Sequence, residues 1–335
     1  MTEPLVSVKM ITYNHAPYIA RATEGVLQQK TTFPFELVIG EDCSTDGTRE
    51  IVFEYQEKYP DIICVITSDE NVGGRKNSYR TTKACRGKYI AFCEGDDYWH
   101  CPDKLQKQAD YLESRPECGL VYSGYDVYHV QSGKRINDFI KYRNLRMPKS
   151  PSVSDFVEDE GGILVGIMTC TVMVRRALYG QIIEADPYLH QSDHFLMGDT
   201  QLWAEIATVA DLHYIPESMA THTITDESAS RSKDIKKRLR FRKSGVELLL
   251  YLCNKYNLPS SKRNRLEANW CDVSLNLAFY SRSAELAEEV RRKKREFTWK
   301  EWFRYYGAGH SAIYHLYRVA ALCRALSRKE PNQWD

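Results

Sequence analysis

At 335 residues, 43% hydrophobic and 12% aromatic, the chain has the material for one large domain plus an appendage. Ten cysteines scattered from Cys43 to Cys323 without CxxC spacing exclude a disulfide scaffold and fit reduced thiols in a cytosol. The net charge of +1 hides two unlike parts: residues 231–335 hold 24 Lys and Arg against 11 Asp and Glu (+13), which leaves 22 against 34 (−12) for residues 1–230. A boundary near Ser230 follows, with an acidic catalytic-sized part before it and a basic part after it. No leader peptide is expected, because MTEP runs straight into a strand. No membrane span is expected either, because the longest apolar stretch, near residues 312–326, is interrupted by Arg318 and Arg324.

In chain order, LVSVKMIT (5–12) reads as a buried strand, followed by a helix from about Pro17. A second strand covers Phe35 to Gly40. The helix behind it runs to Tyr59 and is opened by Ser44-Thr45-Asp46, with Ser44 as its cap and Asp46-Gly47 as a turn. Strand three spans Ile62 to Thr67, with a helix over roughly Arg75 to Cys85. Strand four spans Lys88 to Cys93, with a helix over Asp103 to Ser114. Cys118 to Tyr128 is the fifth strand. Strands alternating with helices of this length predict an α/β fold with a mostly parallel sheet covered on both faces. Ligands gather outside the carboxyl ends of such strands. That edge receives Tyr13-Asn14-His15, Glu41-Asp42, Asn71-Val72-Gly73-Gly74 and Glu94-Gly95-Asp96-Asp97.

Several chemistries are excluded. MITYNHAPYI contains no glycine, so the dinucleotide fingerprint GxGxxG is missing, and Gly87-Lys88 lacks the rest of a P-loop. DCSTDG starts like a calcium loop, but Phe53 stands where a bidentate Glu is needed. Three carboxylates at the end of a buried strand need positive charge to offset their desolvation. With no Cys or His at zinc spacing nearby, a hard divalent cation, Mn²⁺ or Mg²⁺, bridging to a nucleotide diphosphate suits them. The bland alternative is a solvated acidic turn capping the helix after Pro102.

Together, SVKMITYNHAPYI, LVIGEDCSTDGT, NVGG and GKYIAFCEGDDYW resemble the family-2 glycosyltransferases of the GT-A fold. The resemblance covers residues 5 to about 115 strongly and 160 to 225 loosely. It implies a Rossmann-like sheet, a nucleotide-diphosphate sugar, a divalent metal and inversion at the anomeric carbon. It divides residues 1–230 into a nucleotide-sugar half (1–115) and an acceptor half (116–230), with 231–335 as a basic helical region.

Carried over by position, Thr12, Tyr13 and Asn14 lie along the nucleotide, and Asp42 accepts from a base N–H, uracil being favoured. Glu94, Gly95, Asp96 and Asp97 form the DxD-type element. Asp97 is the first metal ligand and Asp96 the second. Glu94 stands where the family usually has Asp, and positions ribose or sugar. Lys76 and Arg80 face either the diphosphate or solvent, since the family's Arg-Asn pair is not at its usual place on this helix. Asp97 is expected to face solvent when no metal is bound.

In the second half, HFLMGDTQLWAEI puts Asp199 at the start of a helix whose buried face is Leu202, Trp203 and Ile206. The resemblance makes Asp199 the base that deprotonates the acceptor hydroxyl, while its position also suits a helix cap. Asp193, His194 and Glu205 are the reserve candidates. His222, placed after a strand, falls where a histidine often ligates the metal or touches the diphosphate. Residues 135–156 read as an acceptor loop, and VGIMTCTVMVRR as a buried strand flooring that site near Met168 and Thr169.

The basic tail reads either as a helical cap on the catalytic part or as a peripheral contact with an anionic membrane. A helix over Ser311 to Ser327 would carry Ile313, Leu316, Tyr317 and Ala320 on one face, after the aromatics Trp299, Trp302, Phe303, Tyr305 and Tyr306. Nucleic acid is not an expected partner, because no stacking module accompanies the charge. The expected partners are a nucleotide-sugar donor and a glycan or lipid-linked acceptor, and the expected place is the cytoplasm or the inner face of its membrane. Two other readings stay open: a binding module without turnover, and a metal-dependent nucleotidyl or phosphodiester enzyme. The sequence sets no oligomeric state.

Overall fold

The computed structural model describes residues 3–145, 147–148, 150–157, 166–225 and 232–316. These fall into two compact units, one made of the described residues up to Thr225 and one of those from 232 onward.

The first unit begins as expected. Strand β1 (Val6–Thr12) is followed by helix α1 (Ile19–Leu27), β2 (Phe35–Glu41), α2 (Thr48–Lys58), β3 (Ile63–Ile66), α3 (Gly74–Ala84) and β4 (Tyr89–Phe92). The strands pair in parallel in the order β3-β2-β1-β4. Val6, Val8 and Met10 of β1 are fully buried, and so is Ser7 between them. That is the continuous burial of a strand covered on both faces.

The chain then adds β5 (Tyr98–Trp99), α4 (Lys104–Ser114), β6 (Cys118–His129), β7 (Arg135–Ile136), α5 (Phe139–Tyr142) and α6 (Val153–Phe156). After these come β8 (Met173–Arg175), α7 (Arg176–Ala185), α8 (Pro187–His190), α9 (Thr200–Ile206) and β9 (Asp211–Ile224). Beyond β4 the sheet continues β8-β6-β9-β5, with β7 beside β6. Strand β8 pairs antiparallel with both β4 and β6, while β6 and β9 run parallel. The result is an α/β GT-A-type sheet with helices packed around it.

Four local expectations are corrected. Helix α2 starts at Thr48, and the side chain of Asp46 takes the Thr48 N–H at 3.1 Å. Ser44 instead accepts the N–H of Asn14 at 3.0 Å, so it ties two loops together rather than capping a helix. Of the described residues 166–176, only Met173–Arg175 is strand; a 3₁₀ turn, Thr169–Thr171, precedes it. His222 lies inside β9 and not after it. The segment expected as an acceptor loop carries β7, α5 and α6, and Arg135 within it is bound to Asp126 at 2.7 Å.

A lysine sits in the core. Lys104 has no exposed surface. Its Nζ donates to Gln108 Oε1 at 2.7 Å and lies 4.2 Å from the centre of the Trp99 ring. Burial pulls its pKa down to about 7.

Among its described residues the second unit carries helices α10 (Ile235–Lys255), α11 (Ser260–Ser281), α12 (Ala284–Lys293) and α13 (Trp299–Gly309), and residues 311–316 are helical as well. Leu248, Leu252, Leu266, Val273, Phe279 and Val290 are buried in it. A capping box of Thr298 and Glu301 starts α13, whose Trp299, Phe303 and Tyr306 are exposed. Their spacing of four and three residues puts them on one side of the helix. In the helix expected over Ser311 to Ser327, Ile313 is half-buried and Leu316 exposed, while Tyr317, Ala320 and everything beyond lie outside the described residues. No helix among the described residues is long and apolar enough to cross a membrane, and none of their nine cysteines is in a disulfide.

Candidate active site

The strand ends at Thr12, Glu41, Ile66 and Phe92 share one edge of the sheet because β1 to β4 run parallel. After β4 the backbone stays beside β1, with Cys93 N–H bonded to Lys9 O and Gly95 N–H to Ile11 O. This sets the acidic turn directly against the loop after β1. Gly95 is required there: a Cβ would come within 2.7 Å of Thr12 Oγ1 and 2.9 Å of His15 Nδ1.

Asp97 is buried, against the expectation that it faces solvent. Its Oδ1 accepts the Thr223 N–H at 2.7 Å, and His222 Nδ1 stands 3.1 Å from the same oxygen. Strand β9 therefore supplies both partners. Glu94 and Asp96 are half-buried, and no Lys or Arg pairs with Glu94, Asp96 or Asp97 among the described residues. Burial, and then the charges of Asp97, Asp96 and Asp199, push the Glu94 pKa up; burial and Asp97 do the same for Asp96. For His222, burial acts downward but the carboxylates, led by Asp97, win and raise it. Thr12 Oγ1, His15 Nδ1, Glu94 Oε2 and Thr223 Oγ1 are buried without a hydrogen-bond partner.

A crowd of carboxylates short of positive charge, ringed by orphaned polar atoms, fits a ligand that brings a cation. No three His, Cys, Asp or Glu side chains group as ligands of one ion among the described residues. A hard cation held by one or two carboxylates takes its other ligands from water and phosphate oxygens.

Asp42 is buried, and both its oxygens are engaged at 2.9 Å, Oδ1 by the Val72 N–H and Oδ2 by the Gly73 N–H. It thus holds the NVGG loop. Arg80 comes to 3.6 Å of Asp42 and donates to Glu41 O, which puts it on the nucleotide-loop side of α3. Lys76 is exposed, without an ion pair among the described residues. Asn14 takes a positive φ of 55° and accepts the Thr45 N–H; Tyr13 is exposed beside it.

Asp199 caps α9. Its Oδ1 accepts the Thr200 N–H at 2.6 Å, and its Oδ2 accepts the Thr169 hydroxyl at 2.8 Å. Its charge adds to those that push the Glu94 pKa up. Leu202, Trp203 and Ile206 are buried as expected. Among the reserve bases, Glu205 is buried and locked to His190 at 2.6 Å, and Asp193 is exposed near Arg75. Sequence reading missed Thr223 and Arg75, and gave His15 no role beyond its place on this edge. A backbone donor such as the Thr223 N–H leaves no residue-type signal at all.

The model of the family described as glycosyl transferase family 2 matches residues 7–180, more than half of the chain. The chain belongs to that family. Among its relatives, uncharacterized protein Rv1520 of Mycobacterium tuberculosis is 40% identical over 129 residues, 38% of this chain and 37% of that one. Uncharacterized glycosyltransferase alr2836 of Nostoc is 34% identical over 238 residues, covering 68% and 71%. The chain thus spans little more than a third of the mycobacterial protein but most of the cyanobacterial one. Two solved structures are similar in fold. The mannosyltransferase PcManGT from Pyrobaculum calidifontis, in complex with GDP-Man and Mn²⁺, matches with TM-score 0.54, 17% identity and coverage of 98% and 89%. S. aureus TarS 1-349 in complex with UDP-GlcNAc matches with TM-score 0.51, 16% identity and coverage of 94% and 92%.

Proposed function

We propose that the protein is an inverting, metal-dependent glycosyltransferase, moving a sugar from a nucleotide-diphosphate donor, UDP-sugar first, to a hydroxyl of a glycan or lipid-linked glycan. The observation that carries this reading is the buried Asp97 carboxylate, oriented by Thr223 N–H and His222 beside two further carboxylates with no Lys or Arg partner among the described residues. Asp97 and Asp96, with His222 beside Asp97, would hold Mn²⁺ or Mg²⁺ together with water and phosphate oxygens, and the ion when bound neutralises charge on the departing diphosphate. Thr12, Tyr13 and Asn14 lie along the nucleotide, Asp42 receives the base, and Glu94 with Gly95 meets the ribose or sugar.

Asp199 takes the proton of the acceptor hydroxyl as that oxygen bonds to the anomeric carbon, and the bond to the diphosphate oxygen breaks on the opposite face. One displacement inverts the centre. Thr169, bonded to Asp199 Oδ2, steers the carboxylate toward its task. Residues 1–230 act as the catalytic part, and the basic remainder makes peripheral contact with an anionic membrane through the exposed aromatics of α13, at the cytoplasmic face.

The reading is tested by thermal-shift and hydrolysis screening of UDP-, GDP- and dTDP-sugars with Mn²⁺ and with EDTA. Stabilisation by one donor only in Mn²⁺, followed by inverted product, is the expected result. Stabilisation without turnover would favour a binding module, and release of nucleoside monophosphate a phosphodiester enzyme.

A further inference from the structure

Arg75 opens α3 immediately after the glycine loop that Asp42 holds, yet its side chain reaches into the other half of the catalytic unit. Its Nη1 donates to His190 O at 2.8 Å, and its Nη2 donates to Phe195 O and, at 3.4 Å, to Met197 O. Its Nε lies 4.0 Å from the exposed Asp193 carboxylate, while the Arg75 side chain itself is only 20% exposed. Those carbonyls belong to the connection between α8 and α9, which has no sheet or long helix to satisfy them. The same connection is tied to α9 at both ends. His190 Nε2 meets Glu205 Oε2 at 2.6 Å, and Gln201 Nε2 donates to Met197 O at 2.7 Å. Asp199 follows Met197 by two residues.

We propose that Arg75 is a positioning residue for Asp199: it pins the 190–197 connection to the nucleotide-binding loop and so couples occupancy of the donor site to the placement of the base. A planar fork of donors can hold three carbonyls at once, which a lysine ammonium on a flexible stem does not reproduce. Because its donors are directed at these carbonyls, Arg75 is not a ligand of the diphosphate. A continuous path runs from Asp42 through the Gly73 N–H, two residues of chain, the Arg75 guanidinium and Met197 O to Asp199. This inference rests on Asp199 acting as base.

The test compares Arg75→Lys and Arg75→Met with wild type in three measurements: nucleoside diphosphate affinity in Mn²⁺, the transfer rate, and hydrogen exchange of amides 190–198. Misplacement of the base by about 1 Å predicts a fall in kcat of roughly 10–100-fold in both variants. Donor affinity should stay near wild type, exchange across 190–198 should rise, and millimolar guanidinium should restore part of the rate in Arg75→Ala. Undiminished kcat in Arg75→Lys and Arg75→Met, or a loss carried wholly by weaker donor binding, overturns the proposal while leaving the transferase reading intact. A wild type that transfers no sugar from any donor removes that reading first, and this one with it.

Discussion

His222 Nδ1 lies 3.1 Å from the Asp97 carboxylate, across 125 residues of sequence, and the neighbouring Thr223 N–H fixes the same oxygen. The turn after β4 is therefore shaped by β9, and each of its substitutions has a structural as well as an electrostatic consequence.

Asp97→Asn keeps an acceptor for the Thr223 N–H and removes the charge. Nucleoside diphosphate binding in Mn²⁺, measured by calorimetry, should be lost while the melting temperature moves little. Asp97→Ala should in addition cost about 1–3 kcal/mol, because the buried N–H loses its acceptor. Wild-type protein that binds as tightly in EDTA as in Mn²⁺ would remove the metal from the account.

Asp42 carries two duties, so Asp42→Asn should show two effects. An amide offers one acceptor oxygen where the carboxylate offers two, leaving one of the Val72 and Gly73 N–H groups facing an NH₂. A stability loss of about 1–3 kcal/mol and weaker nucleotide binding are expected together. Full stability with unchanged affinity for every nucleoside diphosphate would deny both roles.

Strands β1 to β4 and their helices were legible because their signals are local: apolar runs such as Val6, Val8 and Met10, and polar residues where each strand stops. The places of the acidic turn and Asp42 at strand ends and of Asp199 at a helix start were legible in the sequence, while their roles come from the family resemblance. What was hidden depends on distant backbone. Ser44 looked like a cap until Asn14 claimed it. Asp97 looked solvated because its partners come from β9, and Arg75 sits where no motif marks it, bonding carbonyls whose residue types carry no signal.

Lys104 makes the protein's stability depend on pH in a direction that can be worked out. Its pKa is lowered in the folded state to about 7, so folding there disfavours the proton that the unfolded chain keeps up to the ordinary lysine range. The penalty is full below pH 7 and fades as pH rises toward 10.5, the unfolded value. Lys104→Met removes the titration at the expense of Gln108's partner. Denaturant unfolding from pH 7 to 9.5 should show wild type gaining on the variant by a few kcal/mol, at about 1.4 kcal/mol per pH unit at most. A constant difference across that range would mean the ammonium is not desolvated.

The α13 face predicts a lipid preference. Wild-type protein should cosediment with vesicles containing phosphatidylglycerol, not with phosphatidylcholine alone, and the binding should weaken with salt. Replacing Trp299, Phe303 and Tyr306 together by Ser should lower the partition by about 10-fold or more, since the apolar contact is lost while the basic charge remains. Equal partition of the two proteins would leave only charge at work; no binding by wild type would return the face to a packing role.

Asp199 separates a catalyst from a binder. It accepts the Thr200 N–H through one oxygen and the Thr169 hydroxyl through the other. Asn can keep the first bond and still cap α9, because Asn and Asp cap about equally well. It cannot accept a proton from the acceptor hydroxyl. Asp199→Asn should therefore hold its melting temperature and its nucleotide affinity while transfer slows by roughly 10²–10⁴-fold. Thr169→Val, which removes the hydroxyl that steers the carboxylate but not the base, should slow transfer less and leave donor binding alone. Wild-type turnover in Asp199→Asn would reassign the base. Glu205 is a poor successor, being buried against His190, and the search would move to Asp193 on the exposed side of the same connection.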